Sequence, residues 1–137
     1  MLDKMNLAYL RLSKEDDDSD ESQSISSQRA CIREYIRMND LPDDFEELVD
    51  DGYSGTHFDR PGISTLMRLI DADRVRCVIV RDLSRFARNY LEAGNFLEYV
   101  FPAHGVRFIS VNDGSDSGAD GEVAGLHIAI KNLLNQM

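Results

Sequence analysis

The stretch Val75-Arg76-Cys77-Val78-Ile79-Val80, followed directly by Arg81-Asp82-Leu83-Ser84-Arg85-Phe86-Ala87-Arg88-Asn89, decides how the chain reads. The first six residues are short, apolar and rich in β-branched side chains, the pattern of a central strand buried on both faces. The segment that leaves it is basic. Arg85 and Arg88 are three apart, so on a helical turn they share a face. Solubility explains poorly why arginines should stand at the carboxyl end of a buried strand. An anion is their natural partner, and a phosphate suits the forked guanidinium.

Working outward, strands and helices alternate. Residues 6–11 (NLAYLR) read as a first strand, followed by a polar acidic loop to about residue 24. Ile25–Met38 reads as a helix with Ile25, Ile32, Tyr35 and Ile36 on one face. Residues 45–49 form a short strand, and a glycine-bearing loop leads to a helix opened by Pro61, a good first-turn residue. Ile63, Leu66, Met67 and Ile70 give that helix its apolar stripe. Beyond the central strand, a helix over 89–101, a strand over 106–111, a Gly/Ser/Asp-rich mobile loop over 112–121 and a last helix from 122 are expected. The order is that of an α/β domain, with a largely parallel central sheet flanked by helices. In such folds the functional crevice lies beyond the carboxyl ends of the strands.

The polar residues at those ends are the candidates for chemistry. Tyr9, Arg11 and Ser13 share one side of an extended segment, so Arg11 and Ser13 point together into the crevice. A serine hydroxyl is a poor nucleophile until its proton is removed and the developing charge is stabilised, which an adjacent guanidinium helps to do. Gln28 lies on the apolar stripe of its helix and needs a polar partner, either within the core or in the site formed by Arg11 and Ser13. Asp51, Ser54 and Arg60 lie in one loop, which is either an ordinary surface turn or the source of a carboxylate, a hydroxyl and an arginine for the site.

Charge and composition set limits. The chain has 137 residues, with 15 Lys+Arg against 25 Asp+Glu and a net charge of −10. That size fits one domain, and the sign excludes a uniformly basic nucleic-acid wrapper. The charge is uneven, however. Two stretches, 15–21 and 40–51, hold 13 of the 25 acids and no Lys or Arg, leaving 12 acids against 15 basic residues elsewhere. No apolar run is long enough for a membrane helix, and no signal peptide is visible, so a cytoplasmic protein is expected. Cys31 and Cys77 read as two buried thiols. His57, His104 and His127 share no ligand spacing, so neither a metal nor a cofactor is expected.

Several ordered motifs together resemble the serine recombinase family of resolvases, invertases and large transposon and phage integrases. They are Tyr9-Leu10-Arg11-Leu12-Ser13, Gln23-Ser24-Ile25-Ser26-Ser27-Gln28, Asp51-Gly52-Tyr53-Ser54-Gly55, Asp59-Arg60-Pro61-Gly62 and Leu83-Ser84-Arg85-Phe86-Ala87-Arg88-Asn89. The match spans essentially the whole chain and is most like the large transposon-type members. The resemblance implies a catalytic domain in which Ser13 attacks a DNA phosphodiester. A 5′-phosphoserine link forms and a 3′-hydroxyl is released, followed by strand exchange and religation. Arg11, Arg85 and Arg88 are then expected to hold the scissile phosphate, with Gln28, Asp51, Ser54 and Arg60 orienting or activating these groups. The implied partners are double-stranded DNA and further copies of the chain, in a dimer or tetramer.

The sequence departs from the family pattern in two ways. The family usually has an Asp immediately before the first Arg of the third-strand motif, where this chain has Ser84. Asp82 lies two residues earlier, on the same side in extended geometry, and is expected to take over part of that role. The family's last helix also continues to a separate DNA-binding region, whereas this sequence stops at Met137. Residues 1–115 therefore read as the catalytic core. Residues 116–137 read as a mobile loop and the first part of an oligomerisation helix, whose stripe includes Leu126, Ile130, Leu133 and Leu134. A phosphoacceptor receiver domain and a catalytically inactive assembly domain are the competing readings. The receiver needs a late crevice lysine, and the only late one, Lys131, falls inside the last helix. A serine hydrolase lacks its Gly-x-Ser-x-Gly elbow here.

Overall fold

A computed structural model describes residues 3–13, 24–52, 60–87 and 90–118. Five strands form one sheet in the order β2-β1-β3-β4-β5. They are β1 (Met5–Leu12), β2 (Glu46–Asp51), β3 (Val75–Val80), β4 (Arg107–Ser110) and β5 (Ser115–Asp116). The first four are mutually parallel and β5 runs antiparallel to β4. The helices are α1 (Ile25–Met38), α2 (Pro61–Asp71), α3 (Leu83–Phe86), α4 (Tyr90–Asn95) and α5 (Phe101–Ala103), with a π-helical turn at Phe96–Val100 joining the last two.

The alternation of side chains along β1 sends its residues into two separate cores. Leu7 and Tyr9 pack with Ile63, Leu66 and Ile70 of α2 on one face. Ala8 and Leu10 pack with Ile32 and Ile36 of α1 on the other. The strand read as central is central: Val78, Ile79 and Val80 are fully buried, with β1 on one side and β4 on the other. An aromatic cluster ties the segment after β3 to the rest. Phe86 lies 5.6–5.7 Å from the rings of Phe96, Phe101 and Phe108.

Helix α1 begins where Ser24 accepts a hydrogen bond from the Ser27 amide at 3.0 Å, an N-cap that satisfies one otherwise orphaned donor. Its bounds match the expected ones. Helix α2 buries Ile63, Leu66 and Ile70, but Met67 of the expected stripe is 36 % exposed. Two further differences stand out. The segment after β3 folds into the separate turn α3, because Arg side chains from other elements hold its carbonyls. Part of the expected loop 112–121 is the strand β5, which Arg107 pins by ion-pairing Asp116 at 2.6 Å. The acidic run 15–21, the loop containing Ser54, Arg88 and the expected last helix lie outside the described residues.

Candidate active site

The carboxyl ends of β1, β2 and β3 converge on a cluster of buried charge. Arg11, Arg60 and Arg85 are 0 %, 1 % and 4 % exposed, and Ser13 is 3 % exposed. Burying a guanidinium is costly unless its donors are met. Here backbone carbonyls of α3 meet many of them. Arg11 donates from Nε to the Arg85 carbonyl and from Nη2 to the Ser84 carbonyl, both at 3.1 Å. Arg60 donates to the Phe86 carbonyl at 2.6 Å and to the Arg85 carbonyl at 3.4 Å. Arg85 in turn donates to the Arg11 carbonyl at 3.2 Å, two residues before Ser13. The arginines therefore interlock the end of β1 with the turn that follows β3.

Gln28 resolves the ambiguity of a buried amide. It is fully buried, accepts from the Arg11 amide at 3.2 Å and donates to the Arg11 carbonyl at 2.8 Å. The β1–β3 register runs only to Ala8↔Ile79, so the amide side chain takes the place of a strand neighbour for Arg11. It is both a satisfied core amide and a fixture of the site.

The carboxylate turned inward from β2 is Asp50, while Asp51 is exposed. In the β1–β2 register Arg11 pairs with Asp50 and Leu12 with Asp51. Cross-strand partners share a face, so Asp50 joins the side of Tyr9 and Arg11. β2 extends two residues beyond its expected end, and the pleat, which alternates residue by residue, then selects Asp50. Asp50 accepts from the Tyr9 hydroxyl at 2.7 Å and from the amides of Gly62 and Ile63 at 2.7 and 3.2 Å. Arg60 donates to the Tyr9 oxygen at 2.9 Å. Burial pushes the Tyr9 phenol far above its usual range, and Arg60 beside it pulls the other way.

At the other end of α3, Asp82 is paired with Arg81 at 2.8 Å and lies 3.8 Å from Arg85. The Ser84 hydroxyl donates to Asp82. Ser84 is thus joined to the acid two positions before it. Of the expected site residues, Arg11, Ser13, Gln28, Arg60, Asp82 and Arg85 come together, Asp51 stands outside, and Ser54 and Arg88 fall outside the described residues. Asp50 is the addition. A groove of about 570 Å³ opens elsewhere, floored by Ala8, Leu10, Ile32 and Ile36 on the far face of β1 from Tyr9. It holds none of these groups. Among the described residues, no group of three or more His, Cys, Asp or Glu is placed to hold a metal ion.

The model of the resolvase N-terminal domain matches residues 6–137. The chain belongs to the resolvase family. Solved structures share the fold of this resolvase domain. The N-terminal catalytic domain of TP901-1 integrase is 22 % identical with a TM-score of 0.75, and the match covers 97 % of each chain. A resolvase-family site-specific recombinase from Streptococcus pneumoniae is 26 % identical with a TM-score of 0.68, covering 97 % of this chain and 89 % of that one. A serine recombinase from Sulfolobus solfataricus is 22 % identical with a TM-score of 0.62, covering 97 % and 79 %. No curated protein sequence matches the chain. This resolvase domain is a serine recombinase catalytic domain, and DNA is its partner.

Proposed function

We propose that Ser13 is the nucleophile of this site-specific recombinase domain and that the buried arginines are built around the phosphate it attacks. The observation that carries this reading is the cluster itself. Arg11, Arg60 and Arg85 are almost wholly buried at the strand end that presents Ser13, an arrangement that makes sense for an anion and little sense for solubility.

The Ser13 Oγ attacks phosphorus as its proton leaves, and the P–O3′ bond breaks. A 5′-phosphoserine ester remains on the protein. The departing 3′-oxygen takes up a proton and becomes a free hydroxyl. The ester keeps the energy of the phosphodiester, so attack by a new 3′-hydroxyl reverses the step without ATP. Arg11, Arg85 and Arg88 stabilise the charge that builds on the non-bridging oxygens. Gln28 holds the backbone of Arg11, and Arg60 holds α3. Asp82, linked to Ser84, stands in for the family's acid in moving the proton.

Residues 1–115 form the catalytic core, and residues 116–137 contribute to self-association as a dimer and, in strand exchange, a tetramer. The domain acts in the cytoplasm. No helix among the described residues is long and apolar enough to cross a membrane. The test is a nicked duplex bearing the recombination site. The full-length protein becomes covalently attached to it, and Ser13→Ala gives no adduct. An inactive assembly domain gives none with either.

A further inference from the structure

The turn α3 carries Arg85; Leu83 and Phe86 seat it in the core, but its backbone has little hydrogen bonding of its own. It is four residues long, and Asp82, its N-cap residue, makes no side-chain capping bond. A single turn is far below the length at which a helix is stable alone. Its direction, and therefore the aim of Arg85, is set from outside. At the carboxyl pole, Arg11 and Arg60 take the Ser84, Arg85 and Phe86 carbonyls. At the amino pole, the Leu83 amide donates to Asp113 Oδ2 at 2.8 Å. Asp113 comes from the β4–β5 turn, 30 residues away in sequence. The same carboxylate oxygen accepts from the Ser110 hydroxyl at 2.5 Å. The turn is itself tied to the end of β3, because the Val111 and Asn112 amides donate to the Val80 and Arg81 carbonyls.

The geometry points to Asp113 as a positioning residue for the cleavage reaction: it caps α3 from a distant turn and so aims Arg85 at the end of β1. Asp113 does not touch the phosphate. The carboxylate supplies the N-cap that the local sequence omits, and it complements the positive pole of the turn opposite the arginine-held carbonyls. Rotation of so short a turn about its arginine-held end displaces Arg85. A misplacement of about 1 Å in such a group costs up to roughly 100-fold in rate.

This inference rests on the reading of Ser13 as the nucleophile, and its test has a readout independent of that reading. Asp113→Ala and Asp113→Asn are made in the full-length protein. The Leu83 amide is followed by hydrogen exchange, and single-turnover adduct formation is followed on a nicked duplex bearing the recombination site. With Asp113→Ala, Leu83 exchange rises while the β3 amides stay protected. Adduct formation slows about 10- to 100-fold at unchanged half-saturating DNA. Asp113→Asn keeps an acceptor oxygen and stays within about threefold of wild type. An unchanged adduct rate in Asp113→Ala overturns the proposal. So does an equal loss in Asp113→Asn, or a rise in exchange spread over the whole sheet. If Asp113→Ala does not fold, Ser110→Ala is read instead: slower chemistry at normal DNA affinity supports the proposal, and an unchanged rate rejects it. Wild-type protein that forms no adduct rejects the role of Ser13, while Leu83 exchange still decides whether Asp113 holds α3.

Discussion

Gln28 shows how one side chain serves stability and chemistry together. Both of its hydrogen bonds go to the backbone of Arg11. Gln28→Ala leaves the buried Arg11 amide without its acceptor, at a cost of about 2–4 kcal/mol for the lost bonds and the exposed desolvation penalty. The expected outcome is a lower denaturant midpoint together with slower adduct formation, read by urea unfolding and by the adduct assay. A stable, fully active Gln28→Ala protein would show that Arg11 needs no such support. The need for a partner at Gln28 was legible from its place on an apolar stripe. Which group met that need was not, because it depends on where the β1–β3 ladder stops. Asp50 escaped for a related reason. Asp50 and Asp51 are identical in type, and only the end of β2 and its register with β1 separate the inward one from the outward one.

At the scale of elements, the amino terminus of α2 is fitted around that inward carboxylate. A Cβ at Gly62 would lie 2.8 Å from Asp50 Oδ2 and 3.0 Å from its Cγ. Asp50 cannot step back, since the Tyr9 hydroxyl and the Gly62 and Ile63 amides hold it. Gly62→Ala is expected to cost about 1–3 kcal/mol by overpacking. Gly94 inside α4 is the control, because a Cβ there meets nothing within 4 Å. Gly94→Ala is expected to stabilise by about 0.5–1 kcal/mol through the lost chain entropy of glycine. Thermal melts of the two variants should therefore move in opposite directions, and a shared direction would contradict the close approach at Asp50. The bounds of α1 and β3 were legible because periodicity, capping and β-branched content agree there. The turn α3 and the strand β5 were not. Neither has a pattern of its own, and both exist through distant partners: Arg11, Arg60 and Asp113 for the turn, and Arg107 for the strand.

For the whole molecule, the net charge of −10 conceals a division between acidic stretches and a buried basic centre. Non-specific affinity for DNA comes from cations on the surface that displace counterions. The three buried arginines, Arg11, Arg60 and Arg85, donate to backbone carbonyls inside the fold and so add little to that surface. Residues 1–137 alone are therefore expected to bind duplex DNA at physiological salt no more tightly than about 10⁻⁴ M, the weak end of non-specific binding. Fluorescence anisotropy with a labelled duplex checks this, and sub-micromolar binding would count against the division. The α/β class and the central place of β3 were legible from the order of elements. The sheet order and the convergence of three arginines on one turn required the three-dimensional register. The central claim is that Ser13 attacks phosphorus from within that cluster. Its most direct test is to trap the protein–DNA adduct, digest it and locate the modified peptide by mass spectrometry. The account predicts a 5′-phosphate esterified to Ser13 Oγ, a free 3′-hydroxyl on the other DNA end, and no adduct in Ser13→Ala. A link to another residue, a 3′-phosphate on the protein, or an adduct that survives Ser13→Ala would contradict it.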